Sequence, residues 1–180
     1  GRRMYLRGEL ALDGQLRPRG KAWEGHFKVV SREGGIRLGD NARGELLRYD
    51  NFNTNFDLQP SGIHGYLGVG FQGDGFIDAR VQTGWEPNAA LTGELYMNMS
   101  RLYWMELFSP DLVRPKGLVE GHVSLRGTRS QPSLGGEAKL SGFTGEFPAL
   151  GLTLSEGSGS FSAQPDGSAR IAAAVNTGGE

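Results

Sequence analysis

A short phrase recurs along this chain, in which an apolar or small residue is followed closely by Gly, Glu and another such residue. Four segments carry it, at residues 6–10, 42–46, 91–95 and 134–138. Two close variants, at residues 23–27 and 119–123, have His after Gly. In each copy apolar residues or Gly alternate with polar ones, and a period of two is typical of a half-buried strand rather than a helix. The repetition therefore predicts an array of similar β-strands.

The same alternation returns about every ten to fourteen residues, separated by turn residues such as Asp13-Gly14 and Gly73-Asp74-Gly75. This spacing predicts an all-β fold, an elongated and folded-over sheet of about eleven strands with an apolar groove. We expect residues 1–180 to form a single segment of a longer repetitive β-array, without an internal domain boundary.

Composition narrows the possible functions. The chain has 30 glycines in 180 residues, well above the usual ~7 %, and glycine recurs in strands where a sheet bends or is approached closely. With 19 basic and 20 acidic residues, the chain lacks the excess of positive charge that is typical of nucleic-acid binding. It has no cysteine, which excludes disulfides and thiolate metal sites. The longest apolar run, at 171–175, is far shorter than the ~20 residues that span a bilayer.

One segment breaks the strand pattern. Leu102, Met105 and Phe108 are three residues apart, Ser100 could act as a cap, and Pro110 could end the segment. This spacing predicts one or two helical turns near 101–108 that plug one end of the apolar face.

In each predicted strand, every second residue is apolar, and these residues are predicted to line the groove. They are Leu6, Leu10, Trp23, Phe27, Val29, Phe52, Phe56, Leu67, Val69, Phe71, Leu91, Leu95, Met97, Met99, Met105, Phe108, Val119, Val123, Leu125, Leu140, Leu152, Leu154, Phe161 and Ile171. An apolar trough suits acyl chains, because each buried methylene contributes ~0.8 kcal/mol. The alternative is an ordinary sandwich core, in which a second layer of protein covers the same residues.

No residue pattern predicts catalysis or metal binding. His26 and His122 occupy equivalent, outward-facing positions of the repeat, and His64 is expected in a loop; none has the spacing of a metal site. Acidic pairs such as Asp74 and Asp78 are explained by the solvated face of a strand. We therefore assign no catalytic residue, cofactor or metal, and expect a protein that is not an enzyme.

The second half of the chain resembles the C-terminal region of the TamB family. The likeness rests on residues 102–112, followed by Gly117, a strand at 119–125 and the segment 127–132. Residues 147–154, with Pro, a small residue and Leu-Gly before an apolar strand, resemble another phrase of that region. The resemblance covers residues 91–180 well, whereas before residue 91 only the Gly-Glu-Leu rhythm agrees.

The resemblance implies a β-taco, a long folded sheet with an apolar inner groove. The TamB family belongs to the AsmA-like group, which is similar to bridge-like lipid transfer proteins. The resemblance also implies a periplasmic protein that is anchored at the inner membrane and reaches an outer-membrane partner, TamA. Its ligand would be phospholipid or another acyl-chain lipid.

Two hypotheses follow from the sequence and the resemblance together. The first is a non-enzymatic segment of a lipid conduit between the inner and outer membranes. The second is a scaffold that assists nascent outer-membrane β-barrel proteins or autotransporters with TamA, through a sheet edge or the groove. A third, carbohydrate binding, would require an exposed row of aromatic residues with acids between them on one polar face, and Trp23, Trp85 and Trp104 do not form one.

Overall fold

The computed structural model describes residues 4–38, 47–107 and 109–179, and its fold is all-β, as predicted. The repeat copy at 42–46 and Phe108 lie outside the described residues. Two short 3₁₀ helices, Tyr103–Leu107 and Pro148–Leu150, interrupt the strands. The strands are β1 (Met4–Gly8), β2 (Ala11–Arg19), β3 (Ala22–Ser31), β4 (Gly34–Leu38), β5 (Leu47–Tyr49), β6 (Asn51–Gln59), β7 (Gly62–Gly70), β8 (Gly75–Thr83), β9 (Leu91–Arg101), β10 (Val113–Gly127), β11 (Pro132–Phe147), β12 (Leu152–Ala163) and β13 (Ala169–Gly179).

Ten of these strands form one open antiparallel sheet in the order β13-β12-β11-β10-β9-β8-β7-β6-β3-β2. From β6 to β13, each strand pairs with its neighbour in sequence, so the sheet is a meander of hairpins. The remaining strands form a three-stranded sheet in the order β1-β4-β5.

The small sheet continues the first strands of the large one. β1 leads into β2 through Glu9-Leu10, β3 into β4 through Arg32-Glu33, and β5 into β6 through Asp50. The order β1-β4-β5 also repeats the order β2-β3-β6. Three long strands are therefore each broken once, at a common level, and their far halves form the second sheet.

At the other end of the large sheet, three strands have β-bulges in line with these breaks. The pairing register shifts near Lys116 in β10, after Leu140 in β11 and after Ser155 in β12. A bulge bends its strand and increases its twist. We call this line of breaks, turns and bulges the crease. It comprises residues 9–10, 32–33, 50, 71–74, 102–107, 109–112, 116–118, 141–143 and 155–158.

Packing in the described chain is concentrated along the crease. Leu102 is 0 % exposed and forms a core with Leu112 and Phe143. Met105 packs against this core, so the predicted helical turn is present as a 3₁₀ helix and contributes to this packing. The other partly buried side chains on this core are Trp104, Val119, Leu140, Phe147 and Leu154. Because Leu140 precedes the β11 bulge and Phe147 follows it, this core contacts both halves of a bent strand.

Tyr49 joins the two sheets at the N-terminal end of the crease. Its hydroxyl lies 3.0 Å from the buried Ser31 Oγ, and its ring centroid lies 6.0 Å from that of Phe52. The Tyr49 side chain occupies the space that a β-carbon would need at Gly8 and Gly34. Glycine at both positions lets one aromatic ring cover the junction.

Three local predictions were wrong. Asp13-Gly14 lies inside β2 rather than in a turn, because the β3 backbone fills the place of a Gly14 β-carbon, and glycine here permits close strand approach. His64 lies in β7, where it pairs with Asp57, rather than in a loop. Ser100 does not cap the 3₁₀ helix, since its hydroxyl donates to the Asp74 carbonyl and ties β9 to the turn between β7 and β8.

Leu102→Ala tests whether the crease core stabilises the fold. We expect a loss of about 3 kcal/mol in the free energy of unfolding, because the substitution leaves a cavity in a fully buried site. Leu150→Ala is the control, since Leu150 is 70 % exposed, and it should change stability by less than about 0.5 kcal/mol. Urea denaturation measures both, and equal effects would contradict a core located at the crease.

Candidate functional site

Strand pairing arranges apolar residues in rows across one face of the large sheet. Side chains of directly paired residues point to the same face, so each row can be traced from strand to strand. The central row crosses all ten strands and contains only apolar residues, Gly and one Thr. It consists of Leu12, Val29, Thr54, Leu67, Ala79, Leu95, Val123, Gly136, Ala163 and Ala169.

Two similar rows flank it, and we call the surface of the three rows the apolar face. One row lies on the side of the hairpin turns, by which we mean the turns that join β2 to β3, β6 to β7, β8 to β9, β10 to β11 and β12 to β13, opposite the crease. It consists of Gly14, Phe27, Phe56, Gly65, Val81, Gly93, Leu125 and Leu134. The row toward the crease is Ser31, Phe52, Val69, Ile77, Met97, Gly121, Ala138, Phe161 and Ile171.

Three of the glycines within these rows are covered by side chains from neighbouring strands. A β-carbon at Gly65 would meet the Phe56 ring, and one at Gly93 would meet the Leu125 side chain. The Met97 side chain similarly lies against Gly121. Neighbouring side chains thus lean into the space above these three glycines, which makes the surface of the apolar face more even.

A shallow cavity of about 270 Å³ lies in the middle of the apolar face. Its apolar lining includes Phe56, Leu67, Leu95, Val123 and Leu125, all from the predicted set. Val81 and Leu134 also line it but are not in that set, although the same alternation contains them. Pairing with Gly65 and Leu125 is the signal that places these two residues in the cavity.

No second layer of the described residues covers the apolar face, so within them it is not a sandwich core. Phe56 is 38 % exposed, Leu134 is 54 % and Phe161 is 40 %. At the two edges, Leu12 is 65 % exposed and Ile171 is 79 %. Such a continuous exposed apolar surface is unusual in a soluble protein and is typical of a surface that contacts a ligand or a partner.

The remaining predicted residues fall into separate places. Met99, Val119 and Leu140 form the next row toward the crease, while Trp23 and Leu91 lie toward the hairpin turns. Leu6 lies on the small sheet and is 75 % exposed.

Several predicted groove residues lie in the crease or beside it rather than on the apolar face. Phe71 and Met99 are each 5 % exposed, so they contribute to packing rather than to an open lining. Met105 and Leu154 pack on the Leu102 core, and Leu10 lies in the break between β1 and β2. Leu152 follows the second 3₁₀ helix at the start of β12, beyond the bulge. Alternation alone could not separate these residues from the apolar face, because the bend depends on pairing across strands.

The opposite face of the large sheet is polar and contains a hydrogen-bonded cluster around Glu94. Arg126 Nη2 donates to Glu94 Oε1 over 2.6 Å, and Ser124 Oγ donates to Oε2 over 2.9 Å. His122 Nε2 also hydrogen-bonds Oε2, and its ring stacks on Tyr96 with centroids 4.4 Å apart. The Arg126 guanidinium, followed by His122 and Ser124, lowers the pKa of Glu94 from 4.5 to about 2.

A second charged cluster is at the β2–β3 hairpin. Glu24 accepts hydrogen bonds from Arg19 over 2.6 Å and from Arg17 over 3.3 Å. These two guanidinium groups, Arg19 above all, lower the pKa of the Glu24 carboxyl. Both clusters are exposed and lie away from the apolar face.

The described residues contain no group of three His, Asp or Glu side chains that could hold a metal ion. Among the same residues, no helix has the length and hydropathy needed to cross a bilayer.

No family model, curated protein or solved structure matches this chain. The resemblance to the TamB family therefore stays a prediction that depends on the residues given for it above.

The Glu94 cluster predicts a pH dependence. Because the folded-state pKa of Glu94 is lowered, its stabilising contribution is present above pH 4.5 and is lost as the pH falls toward about 2. A carboxyl-detected NMR titration should give a midpoint near 2 for Glu94. In the Arg126→Gln variant the midpoint should move toward 4.5, since the largest cause of the lowered pKa is removed. An unchanged midpoint would contradict the role given to Arg126.

Proposed function

We propose that this chain is a non-enzymatic segment of a lipid conduit, which carries the acyl chains of phospholipids along the apolar face. The observation that carries the proposal is the continuity of this face, since the central row remains apolar or small across all ten strands except at Thr54. The described residues leave this face open, as the exposure of Leu134 and Phe161 indicates.

The form of the apolar face suits transfer better than tight binding. Each methylene removed from water contributes ~0.8 kcal/mol, so an acyl chain gains affinity anywhere on the surface. Similar rows on successive strands provide nearly equivalent positions, and a ligand that moves between equivalent positions meets low barriers. The side chains that lean over Gly65, Gly93 and Gly121 also favour transfer, because they fill the gaps that these glycines would otherwise leave along the path of the lipid.

The length of the strands also suits an acyl chain. On β9, the apolar face runs from Gly93 to Met97, which is four residue steps, or about 14 Å. One leaflet of a bilayer has a hydrocarbon depth of about 15 Å, half of the ~30 Å core. An acyl chain parallel to the strands therefore fits between the hairpin turns and the crease, with its polar headgroup at the turn side.

The cellular setting of the proposal comes from the resemblance. By analogy with the TamB family, the protein would be periplasmic, anchored at the inner membrane, and would reach TamA at the outer membrane. Phospholipid would be the ligand, and no catalytic group would be required.

The edges of the large sheet favour a second candidate function. Among the described strands, β2 and β13 each pair on one side only, and the side chains of both are exposed. An open strand edge can add a strand from another protein through backbone hydrogen bonds. In this alternative, the chain is a scaffold for nascent outer-membrane proteins that acts with TamA.

Charged substitutions on the apolar face test the conduit. Leu95→Glu and Val123→Glu should each abolish lipid capture, because a carboxylate cannot stay solvated beside an acyl chain. Thr92→Glu is the matched control on the opposite face of β9, and it should retain lipid. Mass spectrometry of lipids that copurify with folded variants measures the effect, with circular dichroism as the check on folding.

A photo-crosslinking amino acid at position 56 identifies the molecule that contacts the apolar face in cells. Phospholipid adducts that disappear in Leu95→Glu support the conduit. Adducts to nascent outer-membrane proteins, with no lipid adducts, would contradict the conduit and favour the scaffold.

A further inference from the structure

The β2–β3 hairpin ends in a compact group of basic residues. Arg17, Arg19 and Lys21 lie close together in the sequence, and Glu24 is the one acidic residue among them. Three positive charges and one negative charge give this segment a net charge of +2, whereas the whole chain has a formal net charge of −1. We call residues 16–24 the hairpin tip.

The apolar side of the hairpin tip is exposed at a corner of the apolar face. Trp23 pairs directly with Pro18 and has the parity of the apolar rows, so its ring lies on their side of the sheet. Trp23 and Leu16 are each 46 % exposed. Among the described residues, the indole N–H of Trp23 has no hydrogen-bond partner, whereas that of Trp85 donates to the Gln59 carbonyl. An exposed indole with a free N–H suits a boundary between hydrocarbon and water.

The positive charges of the hairpin tip are accessible to solvent. Arg17 and Arg19 both contact Glu24, but their side chains remain more than half exposed. Lys21 is an exposed turn residue and makes no ion pair with any residue that the structure describes. Apart from the chain neighbours of Gly20, no described atom lies within 4 Å of the place of its β-carbon, so the turn projects from the sheet. One carboxylate therefore leaves an excess of accessible positive charge.

The other hairpin turns do not have this excess. The β6–β7 turn, Pro60-Ser61, has no charged residue, and the β8–β9 and β12–β13 turns have only the acidic Glu86 and Asp166. The β10–β11 turn has a single cation, Arg129, whose guanidinium donates to the Trp85 carbonyl over 2.7 Å. Among the described hairpin turns, positive charge is thus concentrated at the hairpin tip.

We propose that the hairpin tip docks on the surface of a bilayer that contains anionic phospholipids. Trp23 and Leu16 enter the boundary between headgroups and acyl chains, where indole rings are enriched in membrane proteins. Lys21 and the two arginines contact lipid phosphates, and the negative potential of the bilayer attracts each basic residue near its surface. Charge alone would suit any soluble anion, but the exposed indole and leucine beside it favour a membrane.

Docking brings the open end of the apolar face to the bilayer. β2 is the outermost strand of the large sheet, and Leu12, at the end of the central row, is 65 % exposed. Acyl chains that leave the bilayer therefore meet the apolar rows at this corner. That transfer rests on the proposed conduit, whereas the docking itself uses only the hairpin tip.

Vesicle flotation tests the docking surface. The probes are vesicles of phosphatidylcholine alone and vesicles of phosphatidylcholine and phosphatidylglycerol in equal parts. We expect the chain to float with the anionic vesicles, and less so as salt is added. Lys21→Gln should weaken this binding about fivefold, as expected for the loss of one cation near an anionic surface. Lys139→Gln is the matched control, because it removes an exposed cation from the polar face of β11, and it should bind as the unmodified chain does.

Tryptophan fluorescence locates the contact. Emission should move to shorter wavelength when anionic vesicles are added, because an indole that enters the boundary leaves water. The shift should be lost in Trp23→Phe. It should be retained in Trp85→Phe, since the Trp85 indole is hydrogen-bonded to Gln59 in another hairpin turn.

The outcomes separate docking from the conduit. Binding to anionic vesicles that weakens in Lys21→Gln but not in Lys139→Gln supports the proposal, with circular dichroism as the check on folding. Absence of binding, equal binding to both kinds of vesicle, equal effects of the two lysine variants, or a full shift in Trp23→Phe overturns it. Leu95→Glu should still float, because it alters the central row and leaves the hairpin tip unchanged. Loss of flotation in Leu95→Glu would assign the contact to the apolar face and also overturn the proposal, whereas loss of lipid capture alone concerns only the conduit.

Discussion

The antiparallel register is the constraint on which the rest of this structure depends. Backbone hydrogen bonds between hairpin strands place residues of equal parity opposite one another, and so they convert alternation along one strand into rows across ten. A slip of one residue in any hairpin would move its apolar side chains to the polar face. The central row through Leu67, Leu95 and Val123 exists because every hairpin from β6 to β11 keeps this parity.

An open sheet of this kind cannot bury its apolar residues by layering, so the crease provides the packing. Bulges and strand breaks bend the strands around Leu102, Leu112 and Phe143, while Tyr49 covers the junction at the other end. The apolar face is thereby left open, because the interactions that hold the molecule together lie beside it. The residues that stabilise the fold and the residues of the candidate site therefore lie on different parts of the same strands.

Much of this arrangement could be predicted from local patterns. Alternation correctly assigned Phe56, Leu95 and Val123 to one face, and the spacing of Leu102 and Met105 predicted the helical turn. The second sheet could not be predicted, because Glu33-Gly34-Gly35 has the composition of a turn whether the chain reverses there or continues into β4. The Glu94 cluster on the polar face depends on which strands are neighbours, and this is a property of the whole sheet.

The concentration of packing at the crease has a consequence for motion. Local opening requires least free energy where few apolar contacts must be broken, so the hairpin-turn ends of the strands open more readily than the ends at the crease. The sheet then behaves as a set of hairpins fixed along one line, with lateral freedom that increases with distance from it. For the acyl chains that we propose as ligands, such graded compliance would let the open side widen while the registered rows keep their order.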